Sequence, residues 1–262
     1  MECVTFTRER RNKKMNKMKK LNLNTQKYYL FVDTETIGSL YYTDSVVPFD
    51  ISVKVYDYET KQVVKQRCYL IKRFIKNKFI MLSSFSAGKY PQYLKRIEEN
   101  PKDYKMVSVQ EFSKNLTAII KKYNIKTMVA HNGEFDYNVT NRLGEEFEVN
   151  SPIKKLDVLD TMEMSKPITF HKQYVNFCIK NKDIKNGMGE SKFITNSGRV
   201  RTTAEAVHCF IIKDPYYTEE HTGLEDIDIE IDIFEKSLLC NAGGYVQLNT
   251  RPKWNDYIKV IE

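Results

Sequence analysis

Tyr28-Tyr29-Leu30-Phe31-Val32-Asp33-Thr34-Glu35 opens the part of the sequence on which the fold turns. Aromatic and β-branched side chains suit a pleated, half-buried surface. Tyr28 to Val32 therefore reads as a core strand that ends at Asp33, with Thr and then Gly following. Downstream, Asp50 to Tyr58 alternates Ile51, Val53 and Val55 with Ser52 and Lys54, the period of two expected of a second strand. Val63 to Ile71 is again rich in strand formers, with Glu59-Thr60-Lys61-Gln62 as the connecting turn. The three runs predict an antiparallel meander.

After a Lys-rich and Phe-rich stretch from Phe74 to Phe85, Pro91 is placed to open a short helix to Glu99. Ser108 and Glu111 have the spacing of a capping box, and Phe112, Leu116, Ile119, Ile120 and Tyr123 recur at helical intervals. Lys126 to Ala130 reads as a short strand running straight into His131-Asn132-Gly133-Glu134-Phe135-Asp136; Val139 and Leu143 then fit a helix whose first turn carries Asp136. Leu156 to Asp160 is another short strand. Glu163 to Arg201 holds Pro167, Gly187, Gly189 and Gly198 and reads as an insertion with one helix near Tyr174 to Ile179, either touching substrate or elaborating the surface. Thr202 or Thr203 caps a helix through Ile212, and the last helix carries Leu224, Ile227, Ile231, Phe234 and Leu238. Three strands followed by alternating helix and strand is the order of an α/β domain with a mixed sheet.

A chain of 262 residues suits one such domain with extensions: a basic, mobile segment at 1–26, a domain over 27–245 with an insertion around 163–201, and a tail at 246–262. Hydrophobic content of 41% and aromatic content of 12% are those of a soluble globular protein. No apolar run approaches the roughly 20 residues that span a bilayer, so no membrane partner is expected; the cytoplasmic location expected of the chain rests on its cysteines. The formal charge of +8 gathers at the start, in Arg8, Arg10, Arg11, Lys13, Lys14, Lys17, Lys19 and Lys20. That segment reads as an arm drawn to polyanions, as a solvated extension, or as sequence ahead of a start at Met15 or Met18. No apolar stretch follows the charges, which argues against a signal peptide. Cys3, Cys68, Cys178, Cys209 and Cys240 are odd in number, without a CxxC pair or a His at zinc-ligand spacing, as expected of a reducing compartment and no structural zinc.

The chemistry lies in the acids. Asp33 and Glu35, two apart on a strand, point to one face; two like charges at a core edge are costly unless a hard cation such as Mg²⁺ or Mn²⁺ joins them. Asp136 falls where a strand delivers a helix, at the edge where open α/β sheets bind ligands, although a helix N-terminus favours an acid there in any case. His221 and Asp226 lie five apart, about 140° around a helix, so they can meet only if His221 precedes the helix that holds Asp226.

Together these segments resemble the DnaQ-like (DEDD) superfamily of 3′→5′ exonucleases. Asp33-Thr34-Glu35-Thr36-Ile37-Gly38 is similar to its first motif, Ala130 to Asp136 to its second and His221-Thr222-Gly223-Leu224-Glu225-Asp226 to its third. Thr222 stands where the Tyr-type branch has its tyrosine, so the resemblance is to the His-type branch. Gly198-Arg199-Val200-Arg201, Thr203-Ala204-Glu205 and the third motif also resemble exonucleases encoded by phages of low-GC Gram-positive bacteria.

The resemblance implies a ribonuclease H-like α/β fold and a catalytic set of Asp33, Glu35, Asp136, His221 and Asp226. The four carboxylates would hold two divalent ions, Mg²⁺ or Mn²⁺, with His221 as general base and a nucleoside 5′-monophosphate as product. Thr36, Ile37, Asn132 and Phe135 match positions expected to contact the terminal nucleotide. The implied substrate is single-stranded nucleic acid or a 3′ end, with DNA ahead of RNA; a DNA polymerase and a second copy of the chain are partners the resemblance allows. A noncatalytic nucleic-acid-binding replication module on this fold is the reading from another class.

Overall fold

The computed structural model describes residues 19–37, 46–83, 85–240 and 245–250. The cations from Arg8 to Lys17, Gly38 and most of the C-terminal tail lie outside them. Among the described residues the strands run in chain order: β1 (Lys19–Asn22), β2 (Tyr28–Ile37), β3 (Val47–Asp57), β4 (Gln62–Ile71), β5 (Tyr104–Val107), β6 (Thr127–Ala130), β7 (Asp157–Asp160) and β8 (Tyr245–Leu248). Around them are α1 (Lys72–Ile75), α2 (Lys78–Ser83), α3 (Tyr90–Glu99), α4 (Val109–Lys122), α5 (Gly133–Glu146), α6 (Thr161–Met164), α7 (Lys166–Thr169), α8 (Lys172–Lys180), α9 (Ala204–Ile212) and α10 (Gly223–Cys240).

Six strands form one mixed sheet in the order β5-β4-β3-β2-β6-β7. The meander is present, with β2, β3 and β4 antiparallel, whereas β6 beside β2, β7 beside β6 and β5 beside β4 are parallel. Ser108 caps α4 by the anticipated box: its hydroxyl accepts from the Glu111 N–H at 3.1 Å, and the Glu111 carboxylate accepts from the Ser108 N–H at 2.7 Å.

Several local readings need correction. β2 does not stop at Asp33 but continues to Ile37, because β3 keeps pairing with it through a register shift between Glu35 and Thr36. β5 is a four-residue edge strand, too short between a helix and a capping box to show a period. The stretch after Phe74 is helical in part, and the segment 163–201 holds α7 besides α8, with α6 overlapping its start. Pro167 sits in the first turn of α7, where a missing N–H breaks no helical bond, so it marks a helix start and not a loop. Lys19–Asn22 pairs antiparallel with Tyr245–Leu248, tying the two ends of the described chain together.

The alternation along β2 sorts the two layers. Leu30 and Val32 join Ile51, Val53, Phe112, Leu116 and Leu143 in the cluster that α4 and α5 cover. Tyr29 and Phe31 point the other way, to Phe234 of α10, with ring centroids 5.9 and 5.4 Å away. Continuing that period carries Asp33 and Glu35 onto the α10 side. A third cluster, including Tyr174, Cys178, Phe193, Val207 and Ile233, packs α8, the stretch after it and α9 against α10. No helix among the described residues is long and apolar enough to cross a membrane.

Candidate active site

β2 and β3 build the floor. Across the ladder Asp33 lies opposite Ser52 and Glu35 opposite Asp50, so a strip of polar residues replaces the aromatic packing at this end of the α10 face. Asp50 is fully buried and accepts from the hydroxyls of Ser52 and Tyr93, each at 2.7 Å, from the Cys68 thiol at 3.2 Å, and from the Gly223 backbone N–H. It therefore pins the first residue of α10 to the sheet. Gly223 leaves no room for a side chain: a Cβ there would lie 2.6 Å from Ser52 Cβ and Oγ and 3.2 Å from Asp33 Oδ2. Gly223→Ala should lift the helix start off β3 and destabilise the fold by about 1–3 kcal/mol, partly restored by Ser52→Gly, as read from thermal denaturation of the single and double variants.

α10 then delivers Asp226 in its first turn, and α5 delivers Asp136 in its own. The Thr34 hydroxyl donates to Asp136 Oδ1 at 2.7 Å, joining that helix to β2. Two buried acids that the sequence reading left without a role fix the start of α5. Asp160, at the end of β7, accepts the N–H groups of Asn132 and Gly133, both at 3.1 Å, and Glu230, one turn beyond Asp226, accepts the His131 N–H at 2.8 Å. His131 is structural. Its Nε2–H donates to the Thr202 carbonyl at 2.7 Å, and burial depresses its pKa to about 4.

The carboxylates feel one another. Burial, then the charges of Asp136, Asp226, Glu230 and Glu35, push Asp33 well above the usual carboxylate range. Burial raises Asp136 and Glu35 to about 7 each, the latter opposed by the ammonium of Lys89 at 3.0 Å. Asp226 is raised to about 9, by burial and then by Glu219 and Glu35. Its Oδ1 is buried with no hydrogen-bond partner, a position a cation would satisfy. Glu219, His221 and Asp226 also place one ligand atom each within 4.8 Å of one another. This donor set of carboxylate oxygens and one imidazole fits a divalent cation.

His221 precedes α10, as the helical spacing requires, and its backbone takes φ of 53°, a left-handed conformation uncommon outside glycine. The loop is held from three directions. Asp50 holds Gly223. Arg96 of α3 donates to Glu220 on one side of the histidine, at 2.7 Å, and to Thr222 and Glu225 on the other, at 2.6 and 2.5 Å. Lys192, between α8 and α9 and only 3% exposed, reaches the Tyr217 carbonyl at 2.5 Å and Glu205 at 3.2 Å; Glu205 in turn accepts the Glu219 N–H at 3.2 Å. The segment 163–201 thus braces the histidine loop. Lys192→Met would strand Glu205 beside Glu219, and a loss of about 3–5 kcal/mol in denaturant unfolding is expected.

His221 is half-exposed, with Nδ1 facing Glu219 Oε2 at 3.6 Å, and burial and the Lys89 charge lower its pKa. Among the residues expected to contact a nucleotide, Thr36, Asn132 and Phe135 are partly exposed, and Asn132 takes the left-handed N-cap of α5. Ile37 is buried in the main core. Asp50, Lys89, Arg96, Asp160, Lys192, Glu219 and Glu230 were not singled out from the sequence. Glu230 alone carried a signal there, one helical turn from Asp226.

No protein-family model matches the chain, and no curated protein sequence matches it. Solved structures do. A 3′-exonuclease solved in 3′-end-specific recognition of a histone mRNA stem-loop matches with a TM-score of 0.54 at 11% identity, over 90% of this chain and 71% of that one. The zinc-ion form of the E. coli exonuclease I complex with single-stranded DNA matches with a TM-score of 0.50 at 12% identity, over 84% of this chain. The present chain spans 42% of that enzyme's length. The fold is therefore the one that 3′→5′ exonucleases of the exonuclease I kind use.

Proposed function

We propose that the protein is a metal-dependent 3′→5′ exonuclease acting on single-stranded DNA and releasing nucleoside 5′-monophosphates. The observation that carries this reading is that the buried carboxyl of Asp33 lies within the electrostatic reach of Glu35 on its own strand, Asp136 of α5 and Asp226 of α10, with His221 and Glu219 beside Asp226. Asp33, Glu35, Asp136 and Asp226 would hold two divalent ions. When bound, such ions neutralise the scissile phosphate and ease ionisation of the attacking water.

The chain's own residues do the rest. His221 takes the water proton on Nε2, since Nδ1 faces Glu219, and its lowered pKa keeps the ring neutral and basic at physiological pH. The strained loop holds that ring in one orientation before substrate arrives. Thr36 and Asn132 line the approach to the acids, and Phe135 offers a face to a terminal base. RNA is the second reading, since the better-matching fold neighbour acts at an mRNA 3′ end.

The test is degradation of 5′-labelled DNA and RNA of one sequence, single-stranded and duplex, in Mn²⁺, in Mg²⁺ and in EDTA. Shortening of single-stranded DNA from the 3′ end, abolished by EDTA, is expected. Faster loss of RNA would move the reading to an exoribonuclease, and tight binding without nucleotide release in either metal would make the protein a noncatalytic binding module.

A further inference from the structure

Between β4 and β5 the chain makes an excursion, Lys72 to Lys89, that the site itself does not require. At its start lies a cleft of about 690 Å³ whose lining includes Lys72, Arg73, Lys76, Lys78, Gln110 and Phe147 and no acidic residue. Four cations around one cleft repel one another, so a polyanion is the natural occupant. The Arg73 guanidinium stands 5.2 Å from the Phe147 ring centroid, which gives it a fixed seat. Glu111, whose charge Lys72 feels, is committed to its capping box with Ser108. In the next helix Phe79 is 82% exposed and Leu82 50%, apolar surface that follows the cations directly in the chain.

The excursion also ends at the site, where Lys89 pairs with Glu35. At its other end helix α5 sets the span: Asp136 stands in its first turn and Phe147, which lines the cleft, is its C-cap residue, roughly 16 Å further along at about 1.5 Å per residue. At about 3.4 Å per stacked nucleotide, that is on the order of five nucleotides upstream of the scissile bond.

Resting on the exonuclease reading, we infer that Lys72 to Lys78, with Phe79, form a track for the phosphodiester backbone and bases of a single strand upstream of its 3′ end. The cations neutralise phosphates without reading sequence, and the exposed ring stacks on any base.

The probe is 5′-fluorescein oligothymidylate of about 20 nucleotides, longer than the track, bound in EDTA over a salt series and followed by anisotropy, with an oligouridylate arm to separate DNA from RNA. Combined Lys72→Glu, Arg73→Glu and Lys76→Glu, all on exposed side chains, should weaken binding at least tenfold. The salt slope should fall by about 2, at roughly 0.7 per phosphate of a single strand. Phe79→Ala should weaken binding severalfold with the slope unchanged, and an unlabelled trinucleotide competitor should bind wild type and the triple variant alike. Unchanged affinity and slope in the triple variant, or an equal deficit with the trinucleotide, overturns the track. Because binding is read without metal, a wild-type protein that binds but hydrolyses nothing would sink the exonuclease reading and leave the track standing.

Discussion

Asp226→Asn is expected to give a folded protein that is more heat-stable than wild type in EDTA and that has lost about 10³-fold or more of its nuclease turnover. The side chain keeps its shape, so packing at the start of α10 is unchanged. Without cations, however, burial and then the charges of Glu219 and Glu35 raise Asp226 to about 9, so that folding at neutral pH must protonate it. The amide needs no proton, so the substitution removes that cost and stabilises the fold. The same change deletes a carboxylate proposed to hold cations, and several kcal/mol of transition-state stabilisation at about 1.36 kcal/mol per factor of ten gives the stated loss. Stability gained with activity lost is the signature of a site held against its own electrostatics. Thermal melting in EDTA and nucleotide release in Mn²⁺ measure the two halves; a variant that melts lower and still turns over normally contradicts both.

The second large effect is a metal-dependent reversal of the pH profile of stability. Unfolded carboxylates titrate near pH ~4, whereas Glu35, Asp136 and Glu219 are raised to about 7 and Asp226 to about 9 in the folded, cation-free chain. Folded pKa values above unfolded ones mean that the native state binds more protons across that window. Their stabilising contribution is complete below about pH 4 and is lost progressively as pH rises through 7 and on toward 9. In EDTA the melting temperature should therefore fall from pH 5 to pH 9. Cations that bind the folded state alone oppose the fall. At a hundredfold excess over Kd they add about 2.7 kcal/mol, on the order of 5–10 °C for a chain of this length. Melting curves in EDTA and in Mn²⁺ that coincide at pH 8 would show that the acids hold no ion.

Much of this arrangement was legible residue by residue. Tyr28 to Val32, the Ser108 and Glu111 pair and the apolar spacing from Leu224 to Leu238 carry periods that depend only on their own neighbours, so strand, cap and helix could be read directly. The expectation that His221 must precede its helix followed from 100° per residue, and α10 starts two residues later. What could not be read depends on partners distant in sequence. Asp50 looked like an ordinary strand opener until Tyr93, Cys68 and Gly223 closed around it. Lys192 sat among glycines in a segment without a period, and its function in bracing the loop arises only from Glu205 and Tyr217. Buried polar residues of this kind show no pattern along the chain because their partners are supplied by topology.

The most direct measurement is anomalous scattering from crystals of the protein soaked in Mn²⁺. The account predicts two peaks about 3.5–4 Å apart among the carboxylates of Asp33, Glu35, Asp136 and Asp226, with Lys89 displaced from Glu35. A single peak held by Glu219, His221 and Asp226 alone, or none at saturating Mn²⁺, would contradict it.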